Sequence, residues 1–216
     1  MYLIPKFRKF FNLGLIGSFK CILKKRQLRK LQKKFDFMSW HSEGCFECRP
    51  YKKQILKIIN QLNPCFIVDI GCGLGEILSK SNSKYKYGID PDEKVIEAAM
   101  YMHPNIKFDK GDSKLLFKKI NEKEINIPEN SLLIASGWTH NIDKNELTEF
   151  LNESLNHFKY IIIDIFNEKQ IERIKNRLDK NEGTKNYSHG FILEKYKVEV
   201  FPFSDNINQS IVFIRN

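Results

Sequence analysis

The chain has 216 residues, 42% of them hydrophobic, and a formal net charge of +10. At 25.5 kDa it is long enough to bury one full α/β core and too short for two, so we expect one domain with an extension. Seven prolines and 11 glycines argue against a low-complexity chain; five scattered cysteines (Cys21, Cys45, Cys48, Cys65, Cys72) with no secretory leader argue against a disulfide framework and for a reducing, cytoplasmic setting.

The excess charge lies at one end. Residues 1 to 35 carry eleven Lys or Arg and no acid, whereas the remaining 181 residues carry 25 basic and 26 acidic side chains. Ile16, Phe19, Leu23, Leu28, Leu31 and Phe35 recur there at three-and-four spacing, which predicts a basic amphipathic helix. Its longest uncharged stretch, residues 10 to 19, is about half of the roughly 20 residues that span a bilayer. Three readings stay open: a helix packed on the domain over a ligand, a peripheral helix on an anionic membrane at its inner face, or a grip on nucleic acid or another acidic partner. An aromatic-rich stretch, residues 36 to 50, follows as a natural lid and closes an N-terminal segment of residues 1 to 50; residues 51 to 216 form the domain proper.

From Tyr51 the residues Ile55, Leu56, Ile58, Ile59 and Leu62 repeat at helical spacing until Asn63-Pro64 stops the helix. Short apolar runs then alternate with helical patterns. Strands are expected at 66–70, 85–89, 106–109, 132–136 and 159–165, with helices from Gly75, near 92–101 and at 144–157, and a polar stretch after the third strand. Glu168 to Lys180 reads as a further helix, and 198–203 with 209–214 as two closing strands. This order implies an α/β doubly wound sheet, mostly parallel, with helices on both faces. The continuous apolar run Tyr160 to Ile163 fits a strand buried on both sides.

The most informative segment is Val68-Asp69-Ile70-Gly71-Cys72-Gly73-Leu74-Gly75-Glu76, where a strand runs into a glycine-rich turn and a helix. A dinucleotide fingerprint needs glycine at its sixth position to seat a pyrophosphate on the helix N-terminus; that place holds Glu76, which repels one. Asp69-x-Gly-x-Gly-x-Gly resembles motif I of the class I S-adenosylmethionine-dependent methyltransferases. Three further stretches resemble the family in order: Tyr87-Gly88-Ile89-Asp90, 21 residues on; Gly111-Asp112-Ser113; and the proline-led approach Ile127 to Ser136. The resemblance covers residues 52 to 216. It implies a Rossmann-like sheet of seven strands with an antiparallel edge hairpin, and S-adenosyl-L-methionine as cofactor. It also implies a cofactor shell of Asp69, Gly71, Cys72, Gly73, Gly75, Asp90, Pro91, Asp112 and Ser113, with Asp90 on the ribose hydroxyls and Asp112 on the adenine amino group.

The chain departs from the family in one place: strand four usually carries an acidic or polar residue near its start, and here that register gives Ser131 followed by apolar residues, without the usual acid. A high-pKa oxygen acceptor needs a base, and histidine suits neutral pH. His140, just beyond strand four, is the first candidate. His103 and His157 read as structural. Trp40, His41, Trp138, Asn141, Tyr187 and His189 are candidates for the acceptor pocket. Cys45-x-x-Cys48 with His41 invites a zinc site, but no second pair follows, so no metal is expected. Nucleic-acid substrates are disfavoured: Ala135-Ser136-Gly137-Trp138 stands where amino-methylating DNA enzymes carry an Asp- or Asn-Pro-Pro-aromatic motif, and no Pro-Cys follows strand four. The expected activity is O-methylation of a small-molecule or glycan-precursor acceptor. RNA methylation, and a methyltransferase-like protein that binds cofactor without catalysis, are the alternatives.

Overall fold

A computed structural model of the chain describes residues 4–139, 142–166, 192, 195–202 and 209–215. Short strands alternate with helices over the first two thirds of the chain, and local signals fix the first turn of several of those helices. Asp92 caps one helix by accepting from the N–H groups of Lys94 and Val95, and Asp143 caps another in a reciprocal box with Glu146.

The helices are α1 (Ile4–Phe35), α2 (Ser39–Glu43), α3 (Pro50–Leu62), α4 (Glu76–Lys80), α5 (Glu93–Met102), α6 (Ser113–Asn121) and α7 (Lys144–His157), with a 3-10 turn at Phe46–Cys48. The strands are β1 (Phe66–Ile70), β2 (Tyr85–Asp90), β3 (Lys107–Lys110), β4 (Ser131–Ala135), β5 (Tyr160–Phe166), β6 (Val198–Pro202) and β7 (Gln209–Arg215). They form one sheet in the order β3-β2-β1-β4-β5-β7-β6, parallel from β3 to β5 and closed by the antiparallel pair β7 and β6. Ile55, Ile59, Leu78 and Ile96 pack on one face, and Leu116, Leu147 and Leu151 on the other, so helices cover both sides. The strand order reverses between β1 and β4, which opens a crevice at their carboxyl ends.

Three expectations need correction. The polar stretch after the third strand contains α6, a helix whose apolar positions Leu116, Phe117 and Ile120 pack inward behind the Asp112 cap. The lysines among these positions masked the helical periodicity in the sequence. The apolar stripe of the arm is two stripes: from Leu23 to Leu28 is five residues, about 140° around a helix. Leu28 is buried with Leu31 and Phe35 against Val95 and Ala98 of α5, whereas Leu15, Ile16 and Phe19 are 76%, 74% and 62% exposed. Finally, Cys21 and Cys48 are joined by a disulfide, because α1 packs beside the 3-10 turn; a separation of 27 residues gave no signal of it. The expected helix at 168–180 lies outside the described residues.

Candidate cofactor site

The chain must leave β1 and start α4 within five residues, above the crevice. Gly71 and Gly73 allow this with φ of 71° and 53°. A Cβ at Gly71 would stand 2.5 Å from Cδ1 of Trp138, and one at Gly73 would stand 3.1 Å from Nδ1 of His41. The two glycines therefore let Trp138 and His41 pack directly against the turn, where a larger residue would push them away. Gly75 sits over Phe108 as the first residue before α4 and does not border the cleft, so its place is in the turn and the packing.

Carboxylates stand at the strand ends. Asp90 closes β2; its Oδ2 accepts from the Gly73 N–H at 2.9 Å and its Oδ1 from the Asp92 N–H at 3.0 Å, which ties the glycine turn to the neighbouring strand. Burial raises its pKa, and the two N–H bonds oppose that rise. Asp69 is 4% exposed. Burial pushes its pKa up to about 7, with Lys52 opposing and Asp90 adding to the rise. Asp112 caps α6 through Oδ1 alone, accepting from Lys114 and Leu115. Capping and bordering the cleft coincide in this one residue.

The far wall follows β4. The Trp138 indole N–H donates to the Ile70 carbonyl at 2.7 Å, which fixes the ring over Gly71. Behind it, the Gly137 N–H donates to Oδ1 of Asp164 at 2.6 Å and the Thr139 hydroxyl donates to the Asp164 carbonyl at 2.8 Å. Asp164 is 4% exposed, and burial pushes its pKa up to about 6 against the Gly137 bond. The carboxylate that organises the loop after β4 thus comes from β5. Ser131 lies at the other end of β4, away from the cleft.

The near wall is the lid. His41 borders the cleft with its Nε2 buried and without a hydrogen-bond partner, and burial pushes its pKa down to about 4. Arg49 and Lys52 add two cations, and Lys52 reaches Oε2 of Glu76 at 3.4 Å. The Phe46 N–H donates to the same oxygen at 2.8 Å, while Oε1 of Glu76 is buried without a partner.

Asp69, Gly71, Cys72, Gly73, Asp90, Pro91, Asp112, Ser113, Trp40, His41 and Trp138 thus border one cleft of about 630 Å³. That volume suits a nucleoside-sized ligand. His140, Asn141, Tyr187 and His189 lie outside the described residues. The zinc reading does not hold with His41, which faces Gly73 while the cysteines face α1. His103 ends α5 and His157 meets Glu153 at 3.2 Å, as structural residues. The sequence reading missed Arg49, Lys52, Ser136 and Asp164. An acid inside the apolar run of β5 was the one available signal.

No family model matches the chain, and no curated protein matches it by sequence. Solved structures do match. The methyltransferase domain of bacterial CtHen1-CN is similar with a TM-score of 0.57 at 14% identity, over 77% of this chain and 98% of that one. An S-adenosylmethionine-dependent methyltransferase from Clostridium acetobutylicum scores 0.58 at 12% identity, over 77% and 90% of the two chains. Magnesium protoporphyrin IX methyltransferase from Synechocystis, with S-adenosylhomocysteine bound, scores 0.55 at 12% identity over 77% and 84%. The sheet order, the edge hairpin and these neighbours agree: the chain has the fold of the class I S-adenosylmethionine-dependent methyltransferases.

Proposed function

We propose that the cleft binds S-adenosylmethionine and that the protein transfers its methyl group to a hydroxyl of a small or glycan-precursor acceptor. The observation that carries the reading is the open glycine turn held to a buried Asp90 at the strand ends. The residues fit the ligand. Gly71 and Gly73 bring bare backbone to the edge of the cleft, Asp90 retains acceptor capacity for ribose hydroxyls beyond its two N–H bonds, and Oδ2 of Asp112 is left by the cap for an adenine amino group. Arg49 and Lys52 suit the carboxylate of an amino acid moiety. Asp69 and the unpartnered Oε1 of Glu76 suit its ammonium.

The cofactor supplies a methyl on a sulfonium, open to in-line displacement. The chain's work is alignment and exclusion of water. Trp138, locked on Ile70, and the lid with His41 form opposite walls between which an acceptor would be held. With a pKa of about 4, His41 is neutral at pH 7, an acceptor of hydrogen bonds more than a base. We assign the base, where one is needed, to His140.

The arm bears on the acceptor. Leu15, Ile16, Phe19, Ile22 and Leu23 form one exposed apolar stripe of α1, and Arg26, Arg29, Lys30 and Lys33 continue the same outward side. An apolar end followed by a basic collar, with no acid in the arm, complements the surface of an anionic membrane. Among the described residues no helix is long and apolar enough to cross one. A membrane-borne glycan precursor is the acceptor class this favours.

Two experiments test the reading. Full-length protein with labelled S-adenosylmethionine is offered lipid-linked sugars, small phenols and RNA; transfer to the sugars or phenols is expected. Transfer to RNA alone would overturn the acceptor class, and cofactor binding without transfer to anything would favour the non-catalytic alternative. In flotation with anionic vesicles the protein should rise with the lipid and be released by high salt. Binding to nucleic acid without flotation would remove the membrane.

A further inference from the structure

Cys21 on α1 and Cys45 and Cys48 around the 3-10 turn bring three sulfur atoms within 4.8 Å of one another, and each residue is 7% exposed or less. Cys21 and Cys48 are joined, while Cys45 keeps its thiol and lies 2.8 Å from the Cys48 sulfur. A disulfide needs two sulfurs. The third, in the same dry pocket at the two-residue spacing of a metal-binding pair, has no part in it.

A single ion accounts for all three. Zinc–thiolate bonds are about 2.3 Å, so sulfurs sharing one tetrahedral ion stand about 3.8 Å apart, a separation open to the cluster once the Cys21–Cys48 bond is reduced and the sulfurs part. Two acids neighbour the cluster: Glu76 pairs with Lys52 and Glu47 with Lys80, and each keeps its second oxygen buried without a partner.

We propose that the reduced Cys21–Cys45–Cys48 cluster is a binding site for one thiophilic divalent cation of the zinc type, and that the disulfide is its oxidised, metal-free form. Ligation forms three sulfur–metal bonds and releases three thiol protons to solvent. The oxidised form must first be reduced, either by two thiols that supply the electrons and protons and leave as a disulfide, or by a phosphine that supplies two electrons and becomes its oxide while water supplies the oxygen and the protons. The fourth coordination position is left to an exchangeable ligand. Such a site pins α1 to the segment whose other side, through Trp40, His41 and Arg49, borders the cleft.

Cys45 separates this from a plain disulfide, which does not need it. Full-length protein kept reduced with a phosphine is loaded with zinc, desalted and analysed for metal, and cobalt is used as a spectroscopic probe. Wild type should retain zinc stoichiometrically and show a thiolate-to-cobalt charge-transfer band. Cys45→Ser should lose both, while Cys65→Ser, outside the cluster, keeps both. No zinc on reduced wild type, or undiminished zinc on Cys45→Ser, would overturn the proposal. A readout on wild type covers a variant that fails to fold: zinc should slow alkylation of Cys21, Cys45 and Cys48 but not Cys65, and a chelator should restore it. Equal alkylation with and without zinc would also overturn it.

Discussion

The two walls of the cleft are built differently. The sheet-side wall is made of two short runs, the turn from Asp69 to Glu76 and the strand end at Asp90, where backbone does most of the positioning: two glycines turn the chain and one carboxylate ties the turn to the next strand. The lid-side wall, from Trp40 to Lys52, is held from afar, by Leu28 and Cys21 of α1 and by Glu76 at the start of α4. A wall made of one local motif tolerates little change within it. A wall assembled from distant contacts spreads its dependence over the molecule.

The largest expected effect breaks the sheet-side wall through charge. Asp69 holds its proton up to a pH of about 7, against 3.8 for an ordinary Asp. The folded state therefore binds this proton more tightly than the unfolded state does. The stabilisation is full below the ordinary value and lost as pH rises through about 7, with an upper bound of about 4 kcal/mol. Urea unfolding of the ligand-free protein should show stability falling from about pH 4 to about pH 7 and levelling above it, and Asp69→Asn should flatten that fall. Asp164, raised to about 6, has the same sign and should leave a residual slope over a lower window. A wild-type stability that rises with pH across this range would refute the assignment.

Gly71→Val comes next, because it adds a side chain at positive φ against Trp138. A loss of about 3 kcal/mol or more in cofactor binding, roughly a hundredfold, is expected by calorimetry. Asp90→Ala removes the ribose acceptor and should cost about 1.5 to 3 kcal/mol, ten-fold or more. Trp40→Ala, on the exposed tip of the other wall, should change cofactor affinity far less. Equal losses at Trp40 and Asp90 would dissolve the contrast between the walls. The smallest effect lies outside both: Asp143→Ala removes the cap of α7 and should cost about 1 kcal/mol of stability with cofactor affinity unchanged.

The same contrast decides what could be read in advance. Asp69 to Glu76 and Asp90 were readable because a tight turn and a strand end impose residue types at fixed spacing, and the central strands β1, β4 and β5 because burial on both faces favours apolar runs. Arg49 and Lys52 were not, since their role depends on where α3 places its first turn relative to β1. The split of the arm into a buried and an exposed stripe depends on which side of α1 meets α5. Asp164 announced itself only as one acid in an apolar strand, and its bond to Gly137 exists only across the sheet. The Cys21 to Cys48 pairing belongs with these, a product of helix packing between residues 27 apart.

The central claim is that the cleft above β1 and β2 is shaped for S-adenosylmethionine and closed to a dinucleotide. Calorimetric titration of the full-length protein with S-adenosylhomocysteine and, separately, with NAD tests it most directly. Saturable binding of S-adenosylhomocysteine with no comparable response to NAD is the predicted result, because Glu76 stands where a pyrophosphate turn needs glycine. Tight binding of NAD with no response to S-adenosylhomocysteine would contradict the account.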